Sequence, residues 1–273
     1  MQSFLISPRA RASSLWRHRS LITALVKREV VGRYRGSVMG ILWSFFNPLL
    51  MLVIYTFVFS VVFKSRWGTG PEDSKLNFAI ILFVGMIVHS LFAECVTRAP
   101  GLILSNVNYV KKVIFPLEVL PWVAFGSALF HSLISLAVLL LVQLVLVQQL
   151  PWTAILFPIV LLPLMFLTMG FSWFLASVGV YVRDISQITG MFTSILFFLS
   201  PIVYPVSSLP VQYQAWMQLN PLAFVIEQGR NTLILGVLPD VGQWCVMLVA
   251  GLMFAMGGFA WFQKTRKGFA DVL

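Results

Sequence analysis

Residues 27–63 read KREVVGRYRGSVMGILWSFFNPLLMLVIYTFVFSVVF, and this junction decides the fold class. A cluster of Lys and Arg runs without a break into apolar residues 38–63, longer than the roughly 20 residues that cross a hydrocarbon core. Lipid cannot solvate charge, and the cytoplasmic flanks of membrane spans are rich in Lys and Arg. The junction therefore predicts a membrane helix whose N-terminal side faces the cytoplasm. It lies too late in the chain and runs too long for a cleaved signal peptide, whose apolar core covers about 7–15 residues.

Composition extends this reading to the whole chain. Of 273 residues, 59% are hydrophobic and 10% charged, whereas a soluble domain carries roughly a quarter charged residues. An all-α, polytopic membrane protein is predicted. The formal net charge of +10 would suit nucleic acid only on the basic face of a soluble domain. The stretches between apolar runs are too short to form one, so no nucleic-acid partner is expected. Cys95 and Cys245 stand singly in apolar stretches with no CxxC, as small buried hydrophobes do, and no metal site is expected.

Upstream of the junction, Leu15, Ile22, Leu25, Val26 and Val30 recur at helical spacing with Arg17, Arg19, Lys27 and Arg28 on other faces. That pattern describes a cationic helix in the membrane interface. Such a helix can anchor to anionic lipid or dock a cytoplasmic partner, and periodicity leaves both open. Residues 1–35 are read as a cytoplasmic segment carrying this helix, and 36–273 as one membrane domain. Its six spans are expected at about 38–63, 77–97, 117–147, 153–182, 188–203 and 241–262.

Asn47-Pro48 should kink the first span, and residues 64–76 form a polar loop on the far side. Glu94 and Arg98, four apart, can pair on one helix face. After the break at Pro100-Gly101 a short amphipathic helix is expected around 105–113, with Lys111 and Lys112 beneath the lipid phosphates. The fifth apolar run is short, so it either meets a dip in the surface or crosses with help from residues 204–239. Those residues are amphipathic and punctuated by proline, as expected of two short helices broken near Asn220-Pro221 and re-entering the outer leaflet. With both termini cytoplasmic, fifteen of the 19 Lys and Arg fall inside and four, Lys64, Arg66, Lys75 and Arg230, outside.

The chain is poor in catalytic chemistry. No GxxxxGK[ST] occurs, so no phosphate-binding loop is present. The ionisable residues within apolar segments are His89, Glu94, Glu118 and His131. His89 and Glu94 are five apart, about 140° around a helix, and point to different faces, which suits packing hydrogen bonds better than acid–base work. Glu94 and Glu118 sit near the inner ends of their helices, not in mid-span where a proton-coupled carrier needs them. No catalytic set is expected. Aromatic residues are dense instead, with Trp43, Phe46 and Tyr55 in the first span and Phe192, Phe197 and Tyr204 along and after the fifth. A subset on one face could stack against sugar rings.

Three stretches resemble the permease subunits of ABC-2 type exporters, and within them the bacterial polysaccharide and polyol-phosphate exporters. They are KREVVGRYRGSVMGILWSFFNPLL at 27–50, SNVNYVKKVIFPLEVLP at 105–121, and SPIVYP at 200–205 with NPLAFVIEQGRNTLI at 220–234. The resemblance implies a homodimer with a pore between protomers, and two copies of a separate ATPase beneath it. ATP and Mg would sit on that partner, with no cofactor in this chain. Lys27, Arg28, Glu29, Asn106, Tyr109 and Lys111 would couple to the ATPase. Trp43, Phe46, Tyr55, Phe192 and Phe197 would line the path, and Pro201, Tyr204, Pro205, Asn220 and Pro221 would form the outer gate. The implied substrate is a lipid-linked glycan, O-antigen foremost, crossing the bacterial inner membrane. The alternatives are the drug or small-lipid branch of the superfamily, which shares the topology but not the RYRGS and SPIVYP blocks, and a membrane-bound glycosyl- or acyltransferase working without an ATPase.

Overall fold

The computed structural model describes residues 16–58, 75–111 and 115–273; Arg9, Arg11, Lys112 and most of the polar loop expected at 64–76 lie outside them. In chain order its helices are α1 (Arg19–Tyr34), α2 (Trp43–Tyr55), α3 (Lys75–Arg98), α4 (Val107–Lys111), α5 (Leu120–Val142), α6 (Leu162–Tyr181), α7 (Ile185–Leu199), α8 (Val211–Leu219), α9 (Pro221–Arg230) and α10 (Val241–Thr265). Short 3-10 and π turns and the single α turns Gly101–Leu104, Phe157–Val160 and Phe269–Val272 join or follow them, and no strand occurs among the described residues.

Five helical runs are long and apolar enough to cross a membrane: Gly40–Val58, Phe78–Arg98, Leu117–Val147, Trp152–Tyr181 and Val241–Val272. They fall on the first four expected spans and the last. The remaining expected span, 188–203, corresponds to α7, which has 15 residues. At 1.5 Å per residue it is about 22 Å long, short of a hydrocarbon core of about 30 Å.

The helices begin where their sequences allow. Pro121, Pro163 and Pro221 occupy the first turns of α5, α6 and α9, positions whose N–H has no helical partner to lose. Asn220 Oδ1 accepts from Leu222 N at 3.0 Å and Asp240 Oδ1 from Gln243 N at 3.1 Å, capping α9 and α10. Pro48 lies inside α2 and removes one bond from its ladder.

α3 is the centre of the bundle. Of its most apolar stretch 67% is buried inside the protein, against 11% for the first span. It packs on α2, α5, α6, α7 and α9. α6 and α10 form the closest pair, and they run parallel, since Ile159 meets Trp244, Gly170 meets Gly258 and Tyr181 meets Thr265. Glycine makes this approach possible. A Cβ on Gly251 would stand 2.6 Å from the Pro163 carbonyl oxygen, and one on Gly170 would stand 2.8 Å from the Phe254 carbonyl. Small residues at such seams let helix backbones touch where lipid gives no hydrophobic drive to associate.

α1 does not lie alone. Leu25 and Val30 are buried, and Leu25 packs with Val119 and Val123 at the start of the third span. Val26 fits over Gly126, where a Cβ would come within 2.6 Å of its Cγ2.

Replacing Gly258 by Val drives a branched side chain into the backbone of Gly170 and should destabilise the protein by about 1–3 kcal/mol. Gly257→Val, at a position with nothing within 4 Å, is the matched control. Thermal unfolding of the two variants, monitored by size exclusion, reads the difference; equal melting would show that the α6–α10 seam is not tight.

Candidate functional site

Charge gathers at the end of the bundle where α1 lies. Arg33 pairs with Glu94, and Arg98 with Glu29. Arg98 also reaches Glu94 at 3.4 Å, the expected i,i+4 pair, but each partner has a further contact from α1. The four charges sum to zero, and their side chains are between 23% and 39% exposed, so water screens them in part. Beside them, Arg28 Nη2 donates to Tyr109 Oη at 3.1 Å, and the Tyr109 ring stacks on Phe115 with centroids 4.3 Å apart. Asn106 Nδ2 donates to the Leu102 carbonyl at 2.9 Å, and Lys111 Nζ to the main-chain oxygen of Leu273. Arg266 donates to Glu118 Oε2 at 2.6 Å and to the Phe115 carbonyl at 3.1 Å. α1, α4 and the segment after α10 are thereby tied into one surface.

Above Arg33 and Tyr34 a recess of about 230 Å3 opens between α2, α3 and α5, with Asn47, Tyr55, Ser90 and His131 among its walls. Burial pushes the Tyr34 phenol above its ordinary pKa, so it stays protonated, 3.4 Å from His131 Nδ1. His89 takes the packing role expected of it, with Nε2 3.0 Å from the Thr193 carbonyl oxygen.

The opposite end is held by buried polar bonds. After α7 the chain turns inward, so that Pro201 and Ile202 are buried, and nearly every side chain of α9 is buried as well. Arg230 donates through Nε to the Ile81 carbonyl at 3.1 Å and through Nη2 to that of Ile202 at 3.0 Å. The π turn Asn231–Leu235 leaves carbonyls open, and Thr153 Oγ1 donates to Thr232 at 2.6 Å and Gln143 Nε2 to Leu233 at 2.8 Å. A larger cavity of about 620 Å3 lies here, between the start of α3 and the ends of α5 and α9.

The residues implied by the sequence divide by location. Arg28, Glu29, Asn106, Tyr109 and Lys111 come together at the α1 end, with Lys27 exposed beside them. Trp43, Phe46 and Phe192 are 39%, 41% and 37% exposed. Tyr55 faces the recess, and Phe197 sets its edge against His89 at 5.3 Å. These aromatics lie on two helices, α2 packing on α3 and α5, and α7 on α3 and α6. Tyr204 Oη donates to the Phe198 carbonyl at 2.9 Å, and Asn220 Nδ2 to Ser200 Oγ at 3.1 Å, tying the end of α7 to the start of α9. Pro205 leads into the turn Val206–Ser208 and Pro221 opens α9. Sequence reasoning did not single out Arg33, Gln143 and Arg230 for these roles. For Gln143 and Arg230 a signal existed, since polar groups beside or within long apolar runs are functional candidates by default.

Arg98→Ala leaves Glu29 unpaired and Glu94 with Arg33 alone. A loss of about 1 kcal/mol is expected, because the pairs are partly solvated. The Glu29→Arg, Arg98→Glu exchange should recover part of it. Limited proteolysis around α1 and thermal unfolding read the effect, and no change in either would show that the network does not fasten α1.

Comparison with known proteins extends over nearly all of this architecture. Residues 20–234, from α1 through the π turn after α9, match the ABC-2 type transporter family. The chain is 28% identical to the O-antigen export system permease protein RfbA of Myxococcus xanthus, over 94% of this chain and 96% of that one. It is 26% identical to the protein of the same name from Klebsiella pneumoniae, over 93% and 95%. Against the polysialic acid transport protein KpsM of Escherichia coli the identity is 25%, over 80% and 83%. With long apolar helices, a tethered basic α1 and a family match over most of its length, the chain belongs to the ABC-2 type transporter family.

Proposed function

We propose that this chain is the membrane subunit of an ATP-driven exporter that moves a lipid-linked polysaccharide, O-antigen foremost, outward across the bacterial inner membrane. It is a transport subunit and not an enzyme. With no phosphate-binding loop in its sequence, it takes its energy from a separate ABC ATPase that carries ATP and Mg. The names of its relatives, which export O-antigen and capsule polysaccharide, support the substrate class.

The observation that carries this reading is the surface at the α1 end, where α1 and α4 are joined through Arg28 and Tyr109 and fastened to α3 through Glu94 and Arg98. Seated on an ATPase, with Lys27 and Lys111 exposed to it, that surface receives the closing motion of the nucleotide sandwich. α3 passes the motion on, because the same rigid helix is bonded at its far end to Arg230.

Two protomers form the exporter, with both described ends of the chain in the cytoplasm, a placement the charge bias supports. Residues 36–273 act as one six-span domain, with α7 crossing by help of residues 204–239, whose helices α8 and α9 re-enter from the outer face. The path runs between protomers. The sparse cover on the first span and the exposed stripe Ile188, Met191, Ile195 and Phe198 on α7 support a second copy meeting these helices. Trp43, Phe46, Tyr55, Phe192 and Phe197 offer flat rings to passing sugars without gripping one hydroxyl pattern. Pro201, Tyr204, Pro205, Asn220 and Pro221 close the outer end.

Co-expression with an ABC ATPase subunit from the same cells tests the reading. A complex with two copies of each chain is expected. Asn106→Asp with Tyr109→Ala removes the turn-ending bond and the stacked ring, and should lower transport-coupled ATP turnover about tenfold, as a loss near 1.4 kcal/mol at the joint would. Trp43→Ala with Phe46→Ala should slow export and leave assembly intact. A chain that purifies alone and turns over a lipid-linked sugar would be a transferase instead.

A further inference from the structure

α4 faces the ATPase in the reading above, yet by itself it has little to hold it in place. It has five residues, none of them buried, and a helix so short is marginal alone. Its place comes from its neighbours, which fall into two groups. On one side Arg28 of α1 donates to Tyr109. On the other the Tyr109 ring stacks on Phe115, 14° from parallel, and the turn Phe269–Val272 packs against α4, with Lys111 donating to the Leu273 main-chain oxygen.

The second group converges on Arg266. Its Nη1 donates to Glu118 Oε2 at 2.6 Å and its Nη2 to the Phe115 carbonyl at 3.1 Å, so one guanidinium fixes both ends of the stretch 115–118. With side chains 17% and 15% exposed, Arg266 and Glu118 form the least exposed ion pair among the described residues. Charged hydrogen bonds are the strong ones, and less water competes for this one than for those of α1. Arg266 also opens the turn Arg266–Gly268 that leads into Phe269–Val272. Phe269 is fully buried, its ring 5.6 Å from that of Phe262 and 6.0 Å from that of Tyr181.

These parts are rooted in α6 and α10. Trp173 Nε1 donates to the Glu118 carbonyl at 3.2 Å, Tyr181 Oη donates to the Thr265 carbonyl at 2.8 Å, and the Ser177 and Thr265 hydroxyls are 2.6 Å apart. Arginine suits the position because its planar fork reaches two acceptors in fixed directions, which the compact ammonium of lysine does not.

We propose that Arg266 is a positioning residue for ATP-driven export: by gripping Glu118 and Phe115 it presents the Tyr109 ring and α4 to the ATPase at a fixed place on the α6–α10 pair. The proposal rests on the exporter reading above. Without that grip α4 still hangs from α1 through Arg28, but its movement is no longer shared with α6 and α10.

The test uses the permease–ATPase complex in nanodiscs and three variants. Arg266→Met removes the charge and the fork, Arg266→Lys keeps the charge, and Phe115→Leu keeps the ion pair and removes the stacked ring. Amide hydrogen exchange reads how α4 is held, since protection reports local opening, and ATP turnover with its KM reads the coupling. In Arg266→Met, exchange over residues 105–111 is expected to rise about tenfold with α3 and α6 unchanged, and kcat to fall severalfold at an unchanged KM for ATP. Arg266→Lys should recover part of both, because Glu118 regains a cation while the fork stays lost. Phe115→Leu should reproduce the fall in kcat, and it decides the matter if Arg266→Met fails to fold. Exchange that rises equally in α3 and α6 marks a merely structural arginine and overturns the proposal, as does native kcat in both Arg266→Met and Phe115→Leu. A native chain that forms no complex with the ATPase sinks the exporter reading itself, whereas a working native complex matched by these variants sinks only the role of Arg266.

Discussion

A main chain that turns inside a membrane bundle has no water to meet its carbonyls, and one end of this protein is built round that constraint. Each unmet group costs several kcal/mol in an apolar setting. Where α7 stops at Leu199, the carbonyl of Ile202 is taken by Arg230, and the open carbonyls of the π turn go to Thr153 and Gln143. The same guanidinium takes the Ile81 carbonyl of α3. A buried charge is therefore held by backbone from two separate parts of the chain, and α9 can lie deep in the bundle because of it. Gly85 on α3 leaves the room this needs, since a Cβ there would stand 3.3 Å from Arg230 Nη2.

The two kinds of joint in the molecule differ in strength, and the difference suits a transporter. The α6–α10 seam is backbone against backbone through Gly170, Gly251 and Gly258, a contact that a single methyl group disrupts. The joint between α1 and α3 consists of charges between 23% and 39% exposed, each pair contributing little because water competes for it. One seam of the bundle is thus packed backbone on backbone, and the other is held by partly solvated ion pairs. α3 connects them, bonded to α1 through Glu94 and to the α9 end through Ile81.

The span count shows where pattern alone reaches its limit. Five spans were legible as long apolar runs and appear as such. α7 was legible only as a shortfall, because its 15 residues satisfy neither a full crossing nor a surface helix. The helix N-termini at Pro121, Pro163 and Pro221 could be read from local chemistry, since proline confines φ within its own residue. The i,i+4 pairing of Glu94 with Arg98 was legible for the same reason, being set by the pitch of one helix.

Sequence by itself determined the membrane class, the long helical runs and the family blocks, because each depends on composition or on neighbours a few residues apart. Only the tertiary structure decided that Glu94 serves Arg33, that Arg28 holds Tyr109, that Arg230 is buried, and that Gln143 keeps an unmet acceptor beside a cavity. Those partners lie 61, 81 and 149 positions apart for Glu94, Tyr109 and Ile81. No periodicity spans such distances, and the pairing of polar groups in a dry interior is set by which helices pack together.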